Sequence, residues 1–150
     1  MKHIWSLMCK ESKIDANTNN ISIIDAFESL QFDVNADDPK YVEGSPIGLQ
    51  FNFEFVSVYF RDKSGDEETH EQTLIVLDPK GNKLGEFNSQ IIFQSEHNRT
   101  RNILRFNTIA LSTSGTYLFQ INTNNKGSEK RRLESAIPIS IKVKVNGKDL

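Results

Sequence analysis

Leu111-Ser112-Thr113-Ser114-Gly115-Thr116-Tyr117-Leu118-Phe119 is the stretch whose reading decides the fold. Leu111 closes one β-patterned run, Ile103–Leu111, and Thr116 opens another, Thr116–Asn122. Between them small hydroxyl residues and a glycine make a tight reversal. Tyr117 stands two places after that glycine, where its hydroxyl can reach back and bond the backbone of the turn.

Period-two patterning extends outward from this corner in both directions. Downstream, Ile137, Ile139, Ile141, Val143 and Val145 alternate with Pro138, Ser140, Lys142 and Lys144, giving one apolar and one wet face. Pro138 cannot donate to a ladder, so that end of the strand should lie at an edge or a sheet switch. Upstream, Leu49–Phe60 alternates Phe51, Phe53 and Phe55 against Gln50, Asn52 and Glu54, then changes phase; a bulge near Phe55-Val56 would explain the change. Ile4–Cys9, Ile21–Phe32, Thr73–Leu77 and Leu84–Phe93 complete eight strand candidates. Asp78-Pro79-Lys80-Gly81-Asn82 reads as the hairpin turn between two of them. Asp25–Leu30 is the one place where a helical turn competes, because Ile24, Phe27 and Leu30 fall three apart; strand is the favoured reading. Short strands with no helix between them predict an all-β, antiparallel two-sheet sandwich.

The Gly115-x-Tyr117 spacing is similar to the tyrosine corner of immunoglobulin-like sandwiches. Thr113 stands where Asp is common there, Phe119 where antibody domains place their second cysteine, and the only tryptophan is Trp5, in the first strand. The resemblance implies an immunoglobulin-like topology held by packed Phe and Ile instead of a disulfide. Over nearly its whole length the chain also resembles a family of small prokaryotic proteins grouped as a domain of unknown function. The likeness rests on an opening strand, the turn Asp15-Ala16-Asn17-Thr18, the strand Ile21–Phe32, the Leu77–Gly81 hairpin and the Gly115–Tyr117 corner. It implies a fold and brings no catalytic residue. The insertion 63–71 and the basic stretch 126–132 look like local elaborations of it.

With 150 residues the chain is one domain's length, able to bury a sizeable core without a disulfide or structural metal. Cys9 stands alone, which excludes an internal disulfide and any multi-cysteine metal cluster. Eighteen Lys+Arg against twenty Asp+Glu give a net charge of -2, so no general electrostatic pull toward nucleic acid or an anionic membrane is expected. The apolar stretch around Ile4-Trp5 is too short for a signal peptide and no run is long enough to span a bilayer, so a cytoplasmic protein without a membrane partner is expected.

Chemistry-bearing residues are sparse. His3, His70 and His97 have no second His or Cys at ligand spacing, so no metal site is expected. Cys9 reads as a small buried strand residue without a nucleophile turn. The segment 62–71, with Asp62, Asp66, Glu67, Glu68 and Glu71, imitates a calcium loop at positions one, three and five. It then fails, with Glu67 where Gly is required and Thr73 where the bidentate Glu belongs. A solvated acidic loop carrying His70 is the expectation; Asp33, Asp37 and Asp38 form a second. Basic residues fall into two groups, Arg99, Arg101 and Arg105, and Lys126, Lys130, Arg131 and Arg132. These are the candidate binding residues, with Arg105 expected to point to solvent. The Phe51, Phe53, Phe55 stripe reads as core.

The expected function is therefore a non-enzymatic binding or assembly module, acting through inter-strand loops or an exposed edge, with Ile137–Val145 the suspected edge. A protein partner or a second copy of the chain is expected, and no cofactor. Two other classes stay open: a nucleic-acid accessory protein using the basic loops, and a metal-dependent hydrolase using the acidic-loop carboxylates.

Overall fold

The computed structural model describes residues 1–125 and 132–149. Its strands are β1 (Lys2–Ile14), β2 (Ile21–Ala26), β3 (Ser29–Val34), β4 (Ile47–Phe60), β5 (Glu68–Leu77), β6 (Lys83–Phe93), β7 (Arg99–Leu111), β8 (Gly115–Asn125), β9 (Arg132–Val145) and β10 (Lys148–Asp149). They form a four-stranded sheet in the order β2-β1-β4-β7, packed against a six-stranded sheet, β10-β9-β8-β5-β6, with β3 parallel to β9. The chain is an all-β sandwich, as the alternation predicts, and no helix occurs among the described residues.

Among the described residues, ten strands replace the eight expected. The run Ile21–Phe32 divides because Asp25 takes a left-handed φ of 51° and the backbone turns at Phe27, carrying β3 into the opposite sheet. The bulge in β4 falls between Gln50 and Phe53, earlier than Phe55-Val56, and the later phase change has another cause. Val56 and Val58 are buried on the outer face of the sheet as fully as Phe53 and Phe55 are on its inner face.

The β1–β2 hairpin covers that outer face. Ser12 donates to the Glu54 carboxylate through its backbone N–H at 2.9 Å and also through its hydroxyl. At the hairpin tip, Asn19 accepts from Arg101, which sits opposite Val58. Glu54 and Val58 lie about 13 Å apart along β4 at the usual rise per residue. A straight β1 would carry Asn19 away from Arg101, so the hairpin must fold back over the sheet, burying Cys9, Val56 and Val58. Asp15 holds the turn by accepting from the N–H groups of Asn17 and Thr18.

The Glu54 carboxyl is pulled two ways. Burial, the strongest influence, raises its pKa, but the bonds from Ser12 and from Arg105, 2.8 Å away, together hold it below the ordinary value. A depressed carboxylate contributes stability above the unfolded-state value and loses it as pH falls through the folded one. Acidification below about pH 4.5 should therefore loosen the hairpin, seen as faster amide exchange at Ser12. The Glu54→Gln variant should lack this dependence.

The corner behaves as its spacing implies. The Tyr117 hydroxyl donates to the Thr113 carbonyl at 2.7 Å and accepts from the N–H groups of Ser112 and Thr113 at 2.9 and 3.1 Å. Tyr117→Phe should cost about 1–3 kcal/mol, since two buried-side donors and an acceptor lose their partner; an unchanged urea midpoint would show that the corner does not rely on it. At the Asp78–Asn82 turn, the Asp78 carboxylate accepts from Lys80 and Asn82, and Gly81 has a φ of 83°.

Inside, the Phe stripe is core: Phe53 and Phe55 join Met8, Leu74, Leu111, Phe119, Ile121 and Ile139 in the main apolar cluster. A second cluster, Tyr59, Ile91 and Phe93, lies toward the other end. The two are divided by a polar belt that crosses between the sheets.

Candidate functional site

The belt is built from residues that period-two reading would place outside. Ser57 and Tyr59 on β4 both donate to the Gln72 side-chain oxygen on β5, at 2.9 and 2.5 Å. Asn102 on β7 donates to Ser89 on β6 at 2.8 Å, a second crossing between the sheets. Burial pushes the Tyr59 phenol well above its ordinary pKa, keeping it a donor. On β1 the His3 ring stands edge-on to Tyr59 and its Nε2 meets the Ser6 hydroxyl at 2.6 Å. Burial lowers the His3 pKa, against the opposing charge of Glu134, so the ring is neutral at pH 7. Glu134, its side chain only 6% exposed, accepts from Thr123 at 2.6 Å and from Arg132 at 3.0 Å.

Beside this belt the sandwich is open. β2 pairs with β1 only over Cys9–Ile14, and the last contact of that ladder is the Phe27 N–H donating to the Met8 carbonyl. From Lys2 to Leu7, β1 is therefore paired with β4 alone. Across from it, β3 joins β9 only from Ser140 onward, leaving 132–139 paired with β8 alone. The two unpaired edges face each other across a groove of about 1050 Å³. Ser6, Leu7 and Met8 form one wall, Ile137, Pro138, Ile139 and Ser140 the other, and Ala26, Phe27, Glu28 and Ser29 close the Met8 end. Met8 and Ile139 belong to the main core, with Phe27 and Ile137 packed on it, so the floor is apolar.

The suspected edge, Ile137–Val145, is thus only partly an edge. Its regular C-terminal half is covered by β3, with β10 pairing its last residues. The Ser140 N–H bonds the Glu28 carbonyl, which fixes the parity: backbone groups of Ala136 and Pro138 point the same way, into the groove. Pro138 contributes no N–H, and the ladder slips between Ile121 and Asn122, which bulges β9 near Glu134. Both features blunt pairing on that wall. On β1 the same parity argument, starting from Met8, directs the Ser6 N–H and carbonyl into the groove.

Of the described basic candidates, Arg99, Arg101 and Arg105 lie at alternate positions of β7, and Arg132 lies on β9 in the other sheet. Arg99 is exposed, Arg101 is bound by Asn19, and Arg105 is paired with Glu54. Arg132 is exposed and bonded to Glu134. Lys126, Lys130 and Arg131 lie outside the described residues.

The acidic segment is organised by a residue the sequence did not single out. The buried Arg61 guanidinium donates to the carbonyls of His97, Asp66, Gly65 and Gln94, at 2.9, 2.7, 3.2 and 3.1 Å, and stacks on Phe93. It binds the β4–β5 and β6–β7 connections together. His70 is not in a loop: it lies buried in β5, 2.6 Å from the Glu68 carboxylate and edge-on to Phe93. Among the described residues no three His, Cys, Asp or Glu side chains converge as metal ligands, and no helix is long and apolar enough to cross a membrane. Cys9 is free and buried, its thiol pKa raised by that burial.

These features define a β-sandwich with one open flank and a polar belt in its core. No protein-family model and no curated protein matches the chain.

Proposed function

We propose that the protein is a non-enzymatic binding module that accepts an extended segment of a partner protein along the open edge of β1. The observation that carries this reading is the vacated ladder beside Lys2–Leu7, above an apolar floor of Met8, Phe27 and Ile137. Beyond the end of β2, where the chain crosses to the other sheet as β3, main-chain groups of β1 stay unpaired, and strand addition satisfies such groups while side chains at alternate positions fill the floor. The Tyr117 corner and the parallel pairing of β3 with β9 support the finer reading of an immunoglobulin-like sandwich, and with it kinship to the prokaryotic family that shares the Gly-x-Tyr corner.

Amide hydrogen exchange tests the reading. In the free protein the Ser6 N–H should exchange orders of magnitude faster than the Leu7 N–H, which faces β4. When a partner segment is bound, Ser6 should slow to the rate of its neighbours. Strong protection of Ser6 in the dilute free protein would mean that the edge is already filled and would defeat the proposal; protection that rises with protein concentration would make the partner a second copy.

A further inference from the structure

We infer that the outer face of the four-stranded sheet, at the end where Lys2, Phe60 and Arg99 lie abreast, binds a single-stranded nucleic acid. Arg99 and Arg101 hold its phosphates, and Trp5 and Phe60 take its bases. This face is separate from the groove beside Ser6 and does not rest on the strand-addition reading.

Strand register carries the placement. Lys2 pairs with Phe60 and Phe60 with Arg99; one row further, Trp5 pairs with Val58 and Val58 with Arg101. Residues directly opposite in a ladder share a face, so these side chains stand together. That face is the outer one, because Ser57 and Tyr59, which alternate with Val58 and Phe60, bond inward to Gln72. Trp5 and Phe60 are half-buried, and neither joins the apolar clusters inside the sandwich.

The charges divide by partner. Lys2 and Arg105 are neutralised by Asp62 and Glu54, so neither supplies free charge. Arg99 is exposed and has no acidic partner among the described residues. Arg101 donates through both terminal nitrogens to Asn19, to its side-chain oxygen at 2.9 Å and to its carbonyl. Both acceptors are neutral, so the positive charge is oriented without being cancelled, and further N–H donors remain. The two arginines stem from alternate positions of β7, about 7 Å apart. Cations in line beside aromatic rings are the parts that grip a single strand: the cations track its backbone and the rings take its bases, whatever the sequence. An anionic bilayer would also meet the cations, but it calls for exposed apolar side chains, and both rings here are half-buried.

Trp5 is the only tryptophan in the chain, so its emission reports on this face directly. The probe is a short oligothymidylate, titrated into the full chain at low salt, with inorganic tripolyphosphate and phosphatidylserine-containing vesicles titrated in parallel. The oligonucleotide should quench Trp5 saturably, and its affinity should fall with salt at a log–log slope of about -1.4, about -0.7 for each of two phosphates. Arg99→Gln, which has no side-chain partner to lose, should weaken binding several-fold and halve that slope. An equal response to tripolyphosphate would show that the face holds anions and not bases. A blue shift with vesicles and no quenching by the oligonucleotide would make it a membrane contact. No response to the oligonucleotide, or unchanged binding by Arg99→Gln, would remove the site. Any of these results would overturn the inference.

Discussion

Arg61→Met should destabilise the protein by about 3–5 kcal/mol, the loss expected when a buried, fully bonded charge is removed and its acceptors are left behind. The side chain is 8% exposed and its guanidinium supplies donors to four backbone carbonyls on two separate connections. Methionine preserves the apolar contact with Phe93 and removes every donor, so the loss measures the hydrogen bonds. Lysine should rescue little, because a single ammonium cannot span carbonyls arranged for a planar fork. Urea denaturation gives the magnitude. Exchange at Asp66 and His97 should rise together in the variant; a loss under about 1 kcal/mol would show that the loops hold their shape by other means.

Gly115→Ala should cost about 2–4 kcal/mol, from backbone strain and overpacking combined. Gly115 has a φ of 145°, and a Cβ there would stand 2.8 Å from both Cβ and Cγ of Pro79. A proline ring cannot rotate aside as a flexible side chain would. The two causes separate in a double-mutant cycle: Pro79→Gly should relieve the steric part of the Gly115→Ala penalty and leave the φ part. Full additivity, measured by thermal or urea unfolding, would show that the corner and the hairpin turn do not press on one another.

Both residues show what pattern reading sees and what it misses. Gly115 was legible as a turn glycine because Tyr117 follows at the corner spacing, but its approach to Pro79, 36 positions earlier, belongs to packing between two connections. Nothing in the local pattern marks Arg61, which follows directly on the strand Leu49–Phe60. The strands themselves were legible wherever one face is apolar and the other wet, as in β9. The reading failed where inward residues are polar: His70 read as a loop residue, and nothing marked Ser57 or Gln72 as buried, because period two equates polarity with water. It failed again at Val56 and Val58, which are buried outward under a hairpin that local pattern cannot position.

The candidate site divides in the same way. Pro138 marked a disturbance in β9 from sequence alone, since a missing N–H is a local property. That the C-terminal half of β9 would be covered by β3 was not legible, because it depends on Asp25 taking a left-handed conformation and sending the chain across to the other sheet. The groove beside the unpaired Ser6 backbone exists only once β1 and β9 are set side by side.

By itself, then, the sequence determined the class of fold, the corner at Tyr117, the hairpin at Asp78–Asn82 and the aromatic core, all of which follow from alternation and from turn residues acting within a few positions. Only the tertiary structure decided which edges stay open, which polar groups are buried and which charges are already paired. Those outcomes depend on partners remote in the chain, such as Arg101 with Asn19 and Ser12 with Glu54, which no local pattern can pair.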